Sequence, residues 1–331
     1  MRTASDRFRQ RPPWWGGDLQ TLRNSLLKPP RPVAGERLLL PMADGSGDRL
    51  WALYNAGQSG RGSRGGGGAK PLVILIHGIA GCEDSSYIIT ATRYFLEQGY
   101  PTLRLNLRGA GPSRPTCSLQ SHAGRSRDLA EAVRALGDLA PATIAQGFVV
   151  VGFSLAGNMS LKFAAEYGGE LPLRALVTIS SPIDLAATSA SMLRPRNALY
   201  NRKLLADFCR ECLAPGAVLS GSERDAILAA RNFVDLDDNF IAPRNGYKDA
   251  YDYWENCQAK AHLAGITTPT LLIHAHDDPI VPISPYLNYP WQDNSALEPV
   301  LSRNGGHVGF HGAENKAWHL DTALKFLGQR L

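Results

Sequence analysis

The chain has 331 residues, 44% of them hydrophobic, with 35 Lys and Arg against 30 Asp and Glu for a net charge of +5. That is enough for one or two domains with a sizeable core, and no stretch reaches the roughly 18–20 uninterrupted apolar residues of a membrane-crossing helix. The excess charge sits in residues 1–31, where seven basic residues face only Asp6 and Asp18, while the remainder balances. A basic face for nucleic acid is therefore not expected.

Five scattered cysteines, Cys82, Cys117, Cys209, Cys212 and Cys257, suggest no disulfide framework and point to a reducing compartment. The basic N-terminus has no apolar run behind it to act as a secretory signal, so a cytoplasmic location is expected. Cys209 and Cys212 form a C-x-x-C in a helix-like stretch without a second pair, and are read as incidental thiols.

Residues 1–35 form a basic arm containing Trp14 and Trp15. The expectation is that its tryptophans pack on the domain with the arginines in water; weak peripheral contact with an anionic membrane surface is the alternative. ERLLLP (36–41) and DRLWALY (48–54), joined through Asp44-Gly45-Ser46-Gly47, predict an antiparallel hairpin. Residues 57–69 predict a glycine-rich linker. Its formal G-x-G-x-x-G (Gly60, Gly62, Gly65) follows no apolar strand and opens no helix, so no dinucleotide is expected there.

From residue 71 strands and helices alternate. LVILIHG (72–78), TLRLNLRG (102–109), FVVVGFS (148–154) and LRALVTISSP (173–182) are strands. Helices fall near 85–98 and 122–139, the second with Leu129, Val133 and Leu136 on one face. Near-continuous apolar strands between helices predict a mostly parallel α/β sheet covered on both faces. The alternation stops over 184–265, an aromatic-rich helical stretch that reads as a cap inserted over the sheet's C-terminal edge, where ligands bind in open α/β folds. It resumes with TPTLLIHAHDD (268–278), a short strand near 297–302 and a terminal helix near 315–329. The domain plan is thus an arm (1–35), a core (36–183 and 266–331) and a cap (184–265).

FVVVGFSLAGN (148–158) sets Gly-x-Ser-x-x-Gly between a strand and a helix, the pattern of a nucleophile elbow with Ser154 at its turn. Alanine (Ala156) stands where the second glycine usually does, and Gly157 follows it. A serine nucleophile needs a base, and the base an orienting acid, in the order Ser, Asp, His. Asp277 and Asp278 end an apolar strand that Pro279 stops, and Asp184 ends the strand before. His307 lies in the glycine-flanked loop NGGHVGF. His311 and His319 also follow the acid, but His319 sits on the terminal helix. Oxyanion donors are expected from the Leu155 N–H and from the loop His77-Gly78-Ile79-Ala80-Gly81, through the Ile79 N–H.

The stretch Asp278-Pro-Ile-Val-Pro282 resembles the acid loop of α/β hydrolases, which selects Asp278. More widely, the chain resembles the YheT-like branch of the α/β-hydrolase superfamily. The resemblance rests on PPWWGGDLQTL (12–22), HGIAG (77–81), LRG (107–109), GFSLAGN (152–158), YKDAYDYW (247–254), HDDPIVP (276–282) and GGHVGF (305–310) in family order. The branch usually carries His where this chain has Asp18, and its elbow normally has alanine before the glycine. The resemblance implies an α/β-hydrolase fold and a serine carboxylesterase or lipase-like activity, with no metal or nucleotide cofactor. The substrate would be a small ester with a short- to medium-chain or lipid-like acyl group. Acyl transfer to an alcohol would use the same residues. Two further alternatives are a metal-dependent hydrolase built on His274-x-His276-x-Asp278 and a non-catalytic scaffold.

Overall fold

The computed structural model describes residues 8–57, 69–313 and 317–331. Most of the predicted glycine linker, with its G-x-G-x-x-G match, lies outside those residues.

Eight strands form one sheet: β1 (Glu36–Pro41), β2 (Arg49–Asn55), β3 (Leu72–Ile76), β4 (Thr102–Leu105), β5 (Phe148–Phe153), β6 (Leu173–Ile179), β7 (Thr270–Ala275) and β8 (Leu297–Ser302). Their spatial order is β1-β2-β4-β3-β5-β6-β7-β8. The hairpin strands β1 and β2 pair antiparallel and join the rest through an antiparallel β2–β4 edge. Every pair from β4 through β8 is parallel. This is the mostly parallel α/β sheet expected from the apolar runs.

Strands β3, β5 and β7 are buried at every residue, as strands covered on both faces must be. Their side chains alternate between two cores. Leu72, Ile74, Ile76, Phe148 and Val150 join one, together with Leu129, Val133 and Leu136 of the helix Ser126–Leu139. Val73, Leu75, Val149, Val151 and Phe153 join the other, with Phe95 of the helix Ser86–Glu97 and Phe326 of the helix Trp318–Arg330. Fully burying one such side chain contributes about 1.5–3 kcal/mol, so the central strands hold a large share of the core's stabilisation.

The strand order reverses at β3 and β5, which are neighbours although β4 lies between them in sequence. Ligands bind at the carboxyl ends of strands beside such a switch. The loop 77–81 leaves β3 there, and Ser154 leaves β5 beside it. Between β6 and β7 the chain runs through helices including Leu185–Met192, Ala198–Cys212, Gly221–Ala229 and Ala250–Cys257. These share a separate core in which Phe208, Phe240, Tyr253 and Trp254 are buried. Cys209 and Cys212 lie on the second of these helices, with burial raising both thiols.

The N-terminal segment differs from expectation. It forms a helix, Gly16–Leu26, and its two tryptophans differ: Trp15 is 60% exposed, while Trp14 is half-buried beside the Arg23 guanidinium. The anchor is Gln20, fully buried. Its amide donates to the carbonyls of Trp14 (2.7 Å) and His311 (3.2 Å) and its oxygen accepts the His311 N–H at 2.7 Å. Among the described residues no helix is long and apolar enough to cross a membrane.

Candidate active site

Ser154 is the residue between β5 and the helix Leu155–Tyr167, and its backbone stands at φ 53°, ψ −125°. A non-glycine residue rarely adopts this geometry, and it persists only where surrounding structure enforces it. Here the Ser154 N–H donates to the Ile179 carbonyl at 2.9 Å and the Ser154 carbonyl accepts the Gly157 N–H at 2.8 Å. The flanking glycines are required by close approach. A β-carbon on Gly152 would meet the Ala156 carbonyl at 2.8 Å, and one on Gly157 would meet Ser181 Oγ at 2.6 Å. No such demand falls on position 156, where alanine is buried in the core.

Ser154 Oγ lies 2.9 Å from His307 Nε2, and His307 Nδ1 lies 2.9 Å from Asp278 Oδ2. Asp278 closes the turn after β7, its N–H donating to the Ala275 carbonyl at 3.3 Å, and its other oxygen, Oδ1, accepts the N–H groups of Ile280 and Val281, both at 2.9 Å. Burial raises the Asp278 carboxyl. The His307 ring, its hydrogen bond, His274 and the Val281 N–H outweigh that effect, so the group lies below its ordinary value and stays ionised.

The two other candidate acids are elsewhere. Asp277 accepts the Gly306 N–H at 2.9 Å and the Asn304 amide at 3.1 Å, so it shapes the loop that carries His307. Asp184 caps the helix Leu185–Met192 and pairs with Lys260. The histidines of His274-x-His276-x-Asp278 also separate. His274 is fully buried and stacked on Tyr286 at 4.3 Å, its pKa lowered to about 4 by burial, while His276 is exposed. Among the described residues no group of three potential ligands could hold a metal ion. His311 is tied to the N-terminal helix through Arg23, and His319 is buried against Phe153 and Phe310.

The loop after β3 is fixed by His77. Its Nε2 accepts the Leu107 N–H at 3.1 Å, which leaves Nδ1 to donate to the Gly78 carbonyl at 2.8 Å. Because a trans peptide points its N–H away from its C=O, anchoring that carbonyl fixes the direction of the Ile79 N–H. Tyr87 Oη accepts the Gly78 N–H at 3.0 Å and holds the same loop from the other side. Gly78 approaches so closely that a β-carbon there would stand 3.0 Å from Ser154 Cβ. Leu155, the other expected donor, is the first residue of the elbow helix.

Three contacts around His307 carry no signal in the sequence taken residue by residue. Thr21 Oγ1 accepts the His307 N–H at 2.8 Å, Ser180 Oγ accepts the Val308 N–H at 3.0 Å, and Asn24 donates to the Val308 carbonyl at 3.3 Å. Thr21 lies within the DLQT segment that carried part of the family resemblance, but its partner could not be read from that segment.

Ser154 and His307 open onto a cavity of about 660 Å³ whose apolar wall comes mainly from the helices between β6 and β7, with Ile79, Ile280, Val281 and Val308; the N-terminal helix adds Leu22 beside polar Asp18, Thr21, Asn24 and Ser25. Of the aromatics between β6 and β7, Tyr200, Phe208, Phe233, Tyr253 and Trp254 line it; Phe240 is buried in the core those helices share and Tyr251 is 70% exposed. One carboxyl reaches the cavity from this side. Asp237 opens a π-helical turn, Asp237–Ile241, and accepts the Trp254 Nε1–H at 2.8 Å. Burial pushes it up to about 7 against the pull of that hydrogen bond, with Asp238 adding to the rise.

A doubly covered parallel sheet, a strained serine at the end of its fifth strand, and a histidine and buried carboxylate within reach from later loops define an α/β hydrolase. The chain belongs to that family: residues 71–313 match the family model for the alpha/beta hydrolase fold. It lies in the YheT-like branch, being 31% identical over 249 residues to YheT of Escherichia coli (strain K12), provisionally named an esterase; the match covers 73% of this chain and 71% of that protein. It is also 26% identical to the phospholipase ABHD3 of Mus musculus, over 89% of this chain and 71% of the relative. Among solved structures, the Pyrococcus furiosus esterase Pf2001 shares the fold with a TM-score of 0.58 at 16% identity, covering 92% of this chain and 99% of that one.

Proposed function

We propose that the protein is a serine carboxylic-ester hydrolase acting on short- to medium-chain or lipid-like acyl esters. The observation that carries this reading is the unbroken Ser154–His307–Asp278 hydrogen-bonded chain, with both contacts at 2.9 Å, at the base of an apolar cavity. The esterase and phospholipase names of the relatives support the substrate class.

In this mechanism His307 holds its Nδ1 proton against the ionised Asp278, which leaves Nε2 free to accept a proton from Ser154 Oγ. Oγ attacks the ester carbonyl carbon. The carbonyl oxygen gains negative charge in the space between the Ile79 and Leu155 amides, and each such donor is worth about 2.7–4 kcal/mol of barrier. Collapse breaks the carbon–oxygen bond to the alcohol, which leaves with the proton from His307. Water then adds to the acyl-enzyme, giving one proton to His307, and Oγ recovers that proton as the carboxylic acid departs. The apolar walls hold the acyl chain, and a cavity of this size is ample for one.

The test is labelling with a fluorophosphonate probe together with a series of p-nitrophenyl esters from acetyl to dodecanoyl. The expected result is stoichiometric labelling at Ser154, with labelling and turnover both lost in Ser154→Ala and an optimum beyond the acetyl ester. Undiminished turnover in Ser154→Ala would overturn the mechanism, and failure to cleave any ester of the series would overturn the substrate class.

A further inference from the structure

The helix Gly16–Leu26 is amphipathic in the reverse of the usual sense. Gly17, Gln20 and Asn24, spaced three and four apart, face the protein, where Gln20 is fully buried and Asn24 bonds to Val308. Trp15 just before the helix, then Leu19, Leu22 and Leu26, spaced four, three and four apart, share the opposite side. They are 60%, 40%, 38% and 63% exposed. Singly exposed leucines need no explanation, but an aligned stripe on one face marks an interaction surface.

The stripe continues across the cavity mouth. Asp18 joins the helix to the facing cap segment through Tyr200 Oη at 3.0 Å and Arg196 at 3.1 Å. On that segment Leu193 is 52% and Leu199 75% exposed. Leu22 and Leu199 line the cavity while remaining exposed, so its opening lies between these two edges. The cap edge is also basic: residues 193–203 contain Arg194, Arg196, Arg202 and Lys203, all exposed, and no acid. Arg196 pairs with Asp18 and Lys203 with Asp207, which leaves Arg194 and Arg202 without an ion-pair partner among the described residues. Lys28, just past the helix, is exposed as well.

We propose that this rim docks on an anionic lipid surface, with the Trp15–Leu26 stripe and Leu193 and Leu199 entering the acyl boundary while the cap cations meet the headgroups. Apolar insertion combined with cationic attraction is the physical basis of interfacial binding. A second copy of the chain fits the surface less well, since a twofold contact through this rim would set the acid-free 193–203 segment near its own copy. The consequence for catalysis rests on the esterase reading: the cavity mouth would open onto the membrane, and an ester carried in the lipid layer could reach Ser154 without crossing water.

The test uses the full chain and sedimentation with vesicles of phosphatidylcholine alone or mixed with phosphatidylglycerol. Wild-type protein is expected to bind the mixed vesicles at least about tenfold more tightly than the neutral ones. Trp15→Ser/Leu19→Ser/Leu26→Ser and, separately, Arg194→Glu/Arg202→Glu should each weaken that binding by about tenfold or more. None of these five residues lines the cavity, so hydrolysis of a water-soluble p-nitrophenyl ester should stay within about twofold of wild type, reporting an intact fold. Equal binding to both vesicle types, no binding, or undiminished binding by the serine variant would overturn the proposal. So would a wild-type dimer that the serine variant converts to monomer. Binding is read without turnover, so inactivity toward every ester would sink the esterase reading and leave the docking result standing.

Discussion

Thr21 Oγ1 accepts the backbone N–H of His307 at 2.8 Å, although 286 residues separate the two in sequence. The same hydroxyl donates to the Gly17 carbonyl at 2.7 Å, so both of its hydrogen-bonding roles are engaged. His307 lies in an irregular loop whose preceding residues, Gly305 and Gly306, both take positive φ. Such a backbone has little stiffness of its own. The N-terminal helix supplies that stiffness from outside, and the fit is close. A β-carbon on Gly17 would run into the Asp277 carbonyl, and one on Gly306 or Gly309 into the helix backbone.

Thr21 is therefore a positioning residue for the proposed base. Thr21→Val removes the acceptor while nearly keeping the shape, and should lower kcat by about tenfold with a smaller change in KM, because misplacement of reacting groups is felt mainly in the chemical step. Thr21→Ser keeps the hydroxyl and should restore most of the rate. Steady-state kinetics on one soluble ester checks both; a valine variant at wild-type kcat, or a serine variant no better than valine, would remove this role.

Asp277 and Asp278 are adjacent, and substitution should separate their work. Asp278→Asn keeps an oxygen for the Ile280 and Val281 N–H groups but presents a neutral group to His307, favouring the wrong tautomer; losses near 10⁴-fold in kcat follow where this relation holds. Asp277→Asn keeps one acceptor for the loop and leaves the His307–Asp278 contact in place, so the loss should be about tenfold at most. Comparing kcat for the two decides the matter. Similar losses in both would mean that the acid is not assigned correctly.

How far the chain could be read from its residues depends on where the determining contacts lie. Strands β3, β5 and β7 were legible because burial on both faces leaves a local mark, an unbroken apolar run. Ser154, His307 and the 77–81 loop were legible because a tight turn demands glycine at fixed offsets. From the sequence only the resemblance separates Asp278 from Asp277, since the distinguishing feature is which carboxyl the Ile280 and Val281 amides embrace. The helix Gly16–Leu26 leaves no such mark, for a physical reason. It starts with two glycines and buries glutamine while exposing leucines, so the usual rule linking apolar periodicity to a core face points the wrong way. Asp237 was equally hidden, because its meaning comes from a cavity built by segments distant in sequence.

The elbow makes a stability prediction. A methyl group on Gly157 would lie 2.6 Å from Ser181 Oγ and 2.9 Å from Ser181 Cβ, both in the tightly packed region beneath Ser154. Helix propensity alone favours alanine over glycine by up to about 1 kcal/mol. Overpacking opposes this and costs about 1–3 kcal/mol, so Gly157→Ala should be destabilised on balance. Urea unfolding reads the result, and Ser181→Gly combined with Gly157→Ala should recover much of the loss by making room. Stabilisation in the single variant would show that the helix end can shift freely.

Asp237 gives a pH dependence whose sign is fixed. Its carboxyl is raised to about 7 in the folded protein, first by burial and then by Asp238, against about 3.9 for an unperturbed aspartate. A raised acid favours the folded state while protonated, so this contribution is complete below about pH 4 and is lost as pH rises toward 7. Asp237→Asn stays neutral throughout and retains an oxygen for the Trp254 Nε1–H. Relative to wild type, the asparagine variant should therefore gain stability between about pH 4 and 7, on the order of 1 kcal/mol or more and about a few degrees in Tm, allowing for screening by water in the cavity. Thermal melts of both proteins at about pH 4.5 and pH 8 measure the difference directly, and other titrating groups cancel in the comparison. A difference in Tm that does not change between the two pH values would mean that the Asp237 carboxyl ionises freely in the cavity wall, and that water reaches it from the mouth.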